Sequence, residues 1–124
     1  MGALSGYRIL VVEDVPESRQ ALIALLTGEG ADVAATANGN EAIRTVAERD
    51  IDILLTDLVL PDVDGDTLIR RSIEAARRRP RVVVVTGAAE PWVERARDAG
   101  ADVILQKPIN WTELVNCLRT TEQR

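Results

Sequence analysis

The feature that most constrains the fold of this chain is a fivefold alternation between short apolar runs and longer segments of helical period. Parallel βαβ units produce such an alternation, because each strand is followed by a helix that crosses back over the sheet. Several runs are apolar almost throughout, which is typical of strands covered on both faces. The pattern therefore predicts an α/β fold with a doubly wound, five-stranded parallel sheet and five helices. The predicted strands are Ile9–Val12, Val33–Thr36, Ile53–Thr56, Val82–Thr86 and Val103–Leu105.

The predicted helices begin and end at residues that commonly start or stop helices. Pro16 suits the first turn of the first helix, and the second is predicted over Asn40–Arg49. The fifth is predicted to begin at Asn110, whose spacing from Glu113 is that of a capping box. Four arginines are expected at the end of the third helix, where cations complement the helix dipole. We interpret them as a solvated helix end rather than a nucleic-acid patch; they are Arg77, Arg78, Arg79 and Arg81.

The length and charge of the chain limit its organisation and its partners. Its 124 residues suit a single domain over 1–124, with a core at about residues 7–121 and no room for an output domain. No stretch approaches the roughly 18 apolar residues of a membrane span, so we expect a cytoplasmic chain without a membrane partner. The net charge of −5 argues against direct binding to nucleic acid.

Two absences narrow the chemistry further. The chain has no histidine, which excludes Ser-His-Asp triads and metals bound by imidazole. Its single cysteine, Cys117, excludes a disulfide within the chain. Any metal must therefore be held by oxygen ligands.

Polar residues stand at the carboxyl ends of four predicted strands, where open parallel sheets bind their ligands. The first strand is followed by Glu13 and Asp14, and the third by Asp57. The fourth ends in Thr86, and Lys107 follows the fifth. Any one of these residues could serve only to cap a helix or to face solvent. Parallel strands bring all their carboxyl ends to one edge, however, so we expect three carboxylates, a hydroxyl and an ammonium to meet there.

Carboxylates gathered in this way repel one another. At a separation of about 4 Å and an effective dielectric near 20, each like-charge pair costs roughly 4 kcal/mol. A hard divalent cation with oxygen ligands, Mg²⁺ or Mn²⁺, would compensate this charge. Lys107 supplies a second positive charge that suits a transferring phosphoryl oxygen, and the Thr86 hydroxyl can donate a hydrogen bond to the same group.

Four stretches of the sequence form a set, in a fixed order and at fixed intervals: ILVVED (9–14), LLTDLVLPDVDG (54–65), VVVVTG (82–87) and GADVILQKP (100–108). With them the chain resembles the receiver domains of bacterial response regulators, of the chemotaxis-receiver type, over nearly its whole length. The resemblance implies the flavodoxin-like strand order 2-1-3-4-5 and a role in two-component signalling. It also implies a phosphoryl donor, either a sensor histidine kinase or a phosphotransfer protein, and catalysis limited to the domain's own phosphorylation and dephosphorylation.

The resemblance also assigns roles to individual residues of this sequence. Asp57 is implied to be the phosphoacceptor. Asp14 is implied to bind Mg²⁺ directly, and Glu13 directly or through water, with the backbone carbonyl of Val59 as a further ligand. Thr86 would be the switch hydroxyl that moves towards the phosphoryl group, and Lys107 would pair with that group.

Three positions of this sequence depart from the family pattern. Many receivers carry an aromatic residue on the fifth strand, three positions before the lysine, and this chain has Ile104 there. The aromatic half of the family's switch is therefore missing. Val59 and Ala88 stand where polar residues are common, and neither side chain can hydrogen-bond a water. We therefore expect slow self-dephosphorylation.

Other functions fit the sequence less well. A phosphatase of the haloacid dehalogenase type needs a second acid where Val59 stands, and a flavodoxin-like cofactor binder would have its phosphate repelled by Glu13 and Asp14. The more serious alternative is a pseudo-receiver that binds a partner without phosphorylation. In this family the signal is commonly read from the face of helix 4, strand 5 and helix 5, near Trp92 and Trp111, and the resemblance allows a homodimer through that face.

Overall fold

The structure is a computed structural model, and it describes residues 2–119. In this part of the chain five strands alternate with five helices, which confirms the predicted α/β class. The C-terminal limit predicted for the core, residue 121, lies outside the described residues. The elements are β1 (Arg8–Val12), α1 (Pro16–Gly28), β2 (Asp32–Thr36), α2 (Gly39–Glu48), β3 (Ile53–Thr56), α3 (Gly65–Ala75), β4 (Arg81–Thr86), α4 (Trp92–Ala99), β5 (Val103–Gln106) and α5 (Trp111–Arg119).

The strands form one sheet in the order β2-β1-β3-β4-β5, and every neighbouring pair is parallel. This confirms the flavodoxin-like order. In the register of the sheet, Val12 is aligned with Thr36 on one side and with Thr56 on the other. At the edge strand β5, Gln106 is aligned with Thr86 of β4, again at the last residue of each strand. The carboxyl ends of the strands therefore meet at one edge, as the sequence predicts.

The core has two layers because the apolar strands present alternate residues to the two faces of the sheet. In β1, Ile9 and Val11 pack with residues of α1 and α5, whereas Leu10 and Val12 pack with residues of α2, α3 and α4. All four side chains are at most 1% exposed. Burial on both faces explains why β1, β3 and β4 carry continuous apolar runs rather than an alternating pattern. No helix within residues 2–119 is long and apolar enough to cross a membrane.

Two local features differ from the predicted bounds, and a third agrees with its prediction. Leu4 is fully buried in the α1–α5 layer, so the packed part of the chain begins before residue 7. Helix α2 begins at Gly39 rather than at Asn40, and the side chain of Asn38 caps it by accepting the Glu41 N–H at 2.9 Å. Helix α5 begins after Asn110, whose side chain accepts the Glu113 N–H at 2.9 Å, and the predicted cap is confirmed.

The arginine run does not end a helix. Helix α3 stops at Ala75, and its last turn contains no basic residue. Three of the four arginines instead pair with aspartates at the amino-terminal edge of the sheet, and Arg81, the first residue of β4, donates to the Cys117 carbonyl at 2.7 Å. Tertiary contacts rather than the helix dipole therefore account for them. The pairs are Arg77 with Asp50 at 3.6 Å, Arg78 with Asp52 at 3.0 Å and Arg79 with Asp102 at 2.9 Å.

Candidate functional site

Backbone hydrogen bonds hold three predicted site residues at the carboxyl edge of the sheet. The Glu13 N–H donates to the last carbonyl of β2 at 3.1 Å, and the Asp57 N–H donates to the last carbonyl of β1 at 3.2 Å. The Lys107 N–H donates to the last carbonyl of β4 at 2.9 Å. These bonds continue the ladders of the sheet by one residue beyond the strands. The side chains of Glu13, Asp57 and Lys107 therefore start from a rigid frame.

The Lys107 ammonium lies between two carboxylates. Its Nζ is 2.8 Å from Asp57 Oδ2 and 3.5 Å from Glu13 Oε1. Partial burial of Lys107 opposes its charge, but the hydrogen bond and charge of Asp57, followed by those of Glu13, outweigh burial and raise the pKa of Lys107. The lysine is therefore a fixed positive charge at neutral pH.

The other oxygens of these carboxylates accept backbone hydrogen bonds. Asp57 Oδ1 accepts the Leu58 N–H at 2.6 Å and the Val59 N–H at 3.3 Å. Glu13 Oε2 accepts the Val15 N–H at 3.1 Å. Both carboxylates are thus oriented by the start of the loop that follows their own strand. The sequence carries no signal for these N–H groups, because every non-proline residue offers the same donor.

The charge of this cluster fits a divalent cation. Glu13 is only 3% exposed and Asp57 only 7%, and the single Lys107 ammonium offsets only one of their two negative charges. The neighbouring Asp14 adds a third negative charge, so a net negative charge remains at the edge of the sheet. Carboxylate and carbonyl oxygens are the ligands that Mg²⁺ prefers. The residues present are therefore of the right chemical kind to hold this ion.

The three carboxylates are not, however, gathered as the sequence predicts. Asp14 is exposed, and its backbone carbonyl lies 3.5 Å from an Arg19 nitrogen. Within residues 2–119 no group of three or more Asp, Glu, Cys or His side chains converges in a geometry that could hold a metal ion. The Lys107 ammonium pairs with both Glu13 and Asp57, whereas the Asp14 carboxylate forms no ion pair within residues 2–119. The structure thus brings together two of the three carboxylates.

Thr86 is fully buried at the end of β4. Its Oγ1 accepts the Ala88 N–H at 3.1 Å, so the hydroxyl oxygen contacts the loop between β4 and α4. Ala88 and Ile104 are both partly buried against the core layer formed with α2, α3 and α4. Val59, by contrast, is 65% exposed beside Asp57. Neither Val59 nor Ala88 offers a polar side chain next to the acceptor.

A family model described as the response regulator receiver domain matches residues 9–119. The chain belongs to this family. Receiver domains are signalling domains of two-component systems rather than classical enzymes, they interact with histidine kinases or phosphotransfer proteins, and the family binds Mg²⁺ in its active site.

Individual relatives agree with this assignment. The transcriptional regulatory protein TcrA of Mycobacterium tuberculosis is 36% identical over 123 residues, covering 99% of the receiver described here and 49% of TcrA. The receiver thus spans about half the length of that relative. The response regulator receiver protein CpdR of Brucella abortus is 34% identical, with 88% of this chain and 91% of CpdR covered.

A solved structure is similar in fold and in sequence. The receiver domain of the sensor histidine kinase PA1611 of Pseudomonas aeruginosa superposes with a TM-score of 0.82 and 31% identity, covering 94% of this chain and 96% of that one. It is described with a magnesium ion coordinated in its active-site cleft. The family model, the relatives and the solved structure therefore agree on the family and the fold of this receiver.

An apolar cavity of about 360 Å³ adjoins the acceptor of this receiver. It reaches Asp57 and Lys107 at one end and is otherwise lined mainly by apolar side chains of the strands, of α1 and of the segment before α5. Trp111, which is 44% exposed, also lines it. The cavity leaves no signal in the sequence, because its walls come from segments far apart in the chain.

Proposed function

We propose that this receiver accepts a phosphoryl group on Asp57 from the phosphohistidine of a sensor histidine kinase or a phosphotransfer protein. The observation that carries the proposal is the contact between Asp57 and Lys107 at 2.8 Å, at the carboxyl edge of the sheet. Asp57 is thereby a nearly buried carboxylate with a cation beside it. These 124 residues contain no histidine, so the donor imidazole lies outside them.

The proposed transfer forms one bond and breaks one. An Asp57 carboxylate oxygen attacks phosphorus, and the bond between phosphorus and the donor's imidazole nitrogen breaks. The electron pair of the broken bond stays on the imidazole, and an acyl phosphate is left on Asp57. The N–H groups of Leu58 and Val59 hold the carboxylate in place, and Lys107 stabilises the negative charge of the phosphoryl oxygens.

Mg²⁺ or Mn²⁺ is part of the proposal. Glu13, Asp14, Asp57 and the backbone carbonyl of Val59 would hold the ion, which neutralises phosphoryl charge when bound. Its support is the unbalanced negative charge around Glu13 and Asp57, together with the family's known use of magnesium.

Removal of the metal tests this function. With acetyl phosphate as a radiolabelled donor, we expect label on the receiver in the presence of Mg²⁺ and at least about 100-fold slower labelling in excess EDTA, because a bound cation supplies several kcal/mol of charge stabilisation. Restoring Mg²⁺ should restore the rate. A receiver that takes no label under either condition would instead be a pseudo-receiver, which binds its partner without phosphorylation.

The lifetime of the phosphoryl group provides a second test. Hydrolysis needs a water positioned in line with phosphorus, and neither Val59 nor Ala88 can hydrogen-bond one through its side chain. We expect the double variant Val59→Asn with Ala88→Glu to lose its label about tenfold faster than the parent. Ala89→Glu, which places the same charge on the neighbouring exposed residue, should decay like the parent. Equal decay rates in the double variant and the parent would contradict this role.

The output and location of the receiver belong to the same proposal. We propose that phosphorylation changes the face of α4, β5 and α5, where Trp92 is 42% exposed, and that a partner or a second copy binds there.

The net charge of −5 supports the expectation that this chain itself binds no nucleic acid. The transcriptional role named for TcrA is that of a protein about twice as long. A cytoplasmic location is likewise proposed.

A further inference from the structure

We infer that Asp62 is a positioning residue for phosphoryl transfer, because it ties the loop after Asp57 to the start of helix α2. We call residues 58–64 the acceptor loop. The inference rests on the proposed function, since it concerns the geometry around the proposed acceptor. It adds to that function a residue that touches neither the phosphoryl group nor the proposed cation.

Two short hydrogen bonds join Asp62 to the start of helix α2. Asp62 Oδ1 accepts the Gly39 N–H at 2.8 Å, and Asp62 Oδ2 accepts the Asn40 N–H at 2.9 Å. These are first-turn N–H groups of α2, which have no partner within the helix. Asn38 satisfies the next one, on Glu41. Helix α2 is therefore capped partly by its own flanking residue and partly by a carboxylate 22 to 23 residues further along the chain.

The charge of Asp62 suits this position. Burial opposes its ionisation, but the N–H groups of Asn40 and Gly39, with those of Asp62 itself and Val63, outweigh burial and lower the pKa of Asp62. An ionised carboxylate is also the group that the positive end of a helix dipole favours. Both bonds are therefore charge-assisted at neutral pH.

An independent apolar contact joins the same two segments. A Cβ added to Gly39 would lie 2.3 Å from Cγ2 of Val63, so the acceptor loop packs directly against the backbone of α2. Gly39 is buried by this contact. The polar and the apolar contacts together fix the outer half of the acceptor loop on the helix.

The inner end of the acceptor loop is fixed at Asp57. The Leu58 N–H donates to Asp57 Oδ1, and the Leu58 carbonyl accepts the Gly65 N–H at 3.2 Å. Val59 lies between this inner anchor and the outer anchor at Asp62, and its exposed side chain adds no anchor of its own. The direction of the Val59 carbonyl, and of the N–H that Val59 donates to Asp57, therefore depends on both anchors.

Substitutions of Asp62 separate this role from simple helix capping. Asp62→Leu removes both acceptor oxygens, whereas Asp62→Asn keeps one of them in a side chain of similar size. Asp64→Leu is a matched control, because Asp64 is an exposed carboxylate of the same loop that makes no side-chain cap hydrogen bond. The first measurement is Mg²⁺ affinity without any phosphodonor. Tryptophan fluorescence reports the binding, since Trp111 lines the cavity that reaches Asp57. The second is the initial rate of labelling by acetyl phosphate at subsaturating Mg²⁺.

We expect Asp62→Leu to weaken Mg²⁺ binding about tenfold and to slow labelling by a similar factor, since partners that orient ligands have effects of this size. Asp62→Asn should be intermediate and Asp64→Leu should match the parent. A loss of thermal stability in Asp62→Leu with unchanged Mg²⁺ affinity and labelling would show that Asp62 only caps α2, and would overturn the inference. If Asp62→Leu does not fold, parent-like values in Asp62→Asn would overturn it. A parent that takes no label would overturn the proposed function itself, and this inference with it.

Discussion

Replacing Gly65 by alanine should destabilise the receiver by about 2–3 kcal/mol, which is the cost expected when a methyl group is forced into a filled site. Gly65 is the first residue of α3 and is buried. A Cβ at this position would lie 2.6 Å from the Leu58 Cα and 2.9 Å from the Leu58 carbonyl oxygen. Both atoms belong to the backbone, so no side-chain rotation can relieve the contact. The acceptor loop would have to move instead.

The same substitution at Gly28 provides the control. Gly28 is the last residue of α1, and an added Cβ there meets no atom within 4 Å. Alanine favours the helix over glycine by roughly 0.5–1 kcal/mol, so Gly28→Ala should be neutral or slightly stabilising. Urea denaturation of both variants measures the difference. Equal stabilities of Gly65→Ala and the parent would show that the close approach of Leu58 to Gly65 is not a feature of the folded protein.

Gly65→Ala should also slow phosphorylation. The Leu58 carbonyl accepts the Gly65 N–H, and the Leu58 N–H orients Asp57. A shift of Leu58 therefore alters the support of the acceptor as well as the packing of α3.

The sheet could be predicted from the sequence because strands buried on both faces consist almost entirely of apolar or β-branched residues. Ile9–Val12 and Ile53–Thr56 are apolar or β-branched throughout, and both form central strands of the sheet. The bounds of α2 were less accurate, because glycine is a poor helix former and its place in the first turn depends on Asp62. The partners of the arginine run were also missed, since Asp50, Asp52 and Asp102 are distant in sequence.

The site could be predicted as far as the strands determine it. Glu13, Asp57 and Lys107 each follow a strand directly, and the parallel sheet brings them to one edge. The orientation of side chains beyond the strands was not predictable in the same way. Asp14 lies only one residue further along and is exposed, and the Thr86 hydroxyl contacts a backbone N–H of the following loop. Loop geometry determines both arrangements, and residue type alone does not encode it.

A single substitution tests whether Asp57 carries the phosphoryl group. Asp57→Asn keeps the size and shape of the side chain, and its amide oxygen can still accept the N–H groups of Leu58 and Val59. The amide is a far weaker nucleophile than the carboxylate, so the variant should fold but should not form an acyl phosphate. Because the remaining carboxylates are unchanged, any adduct on them would still be detected.

The most direct measurement is the intact mass of the parent, of Asp57→Asn and of Asp64→Asn after incubation with acetyl phosphate and Mg²⁺. Asp64→Asn controls for the loss of one exposed carboxylate in the same loop. We expect the mass of one phosphoryl group on the parent and on Asp64→Asn, and none on Asp57→Asn. An adduct of the same extent on Asp57→Asn would contradict the assignment of the acceptor, and a parent without any adduct would contradict the proposed function.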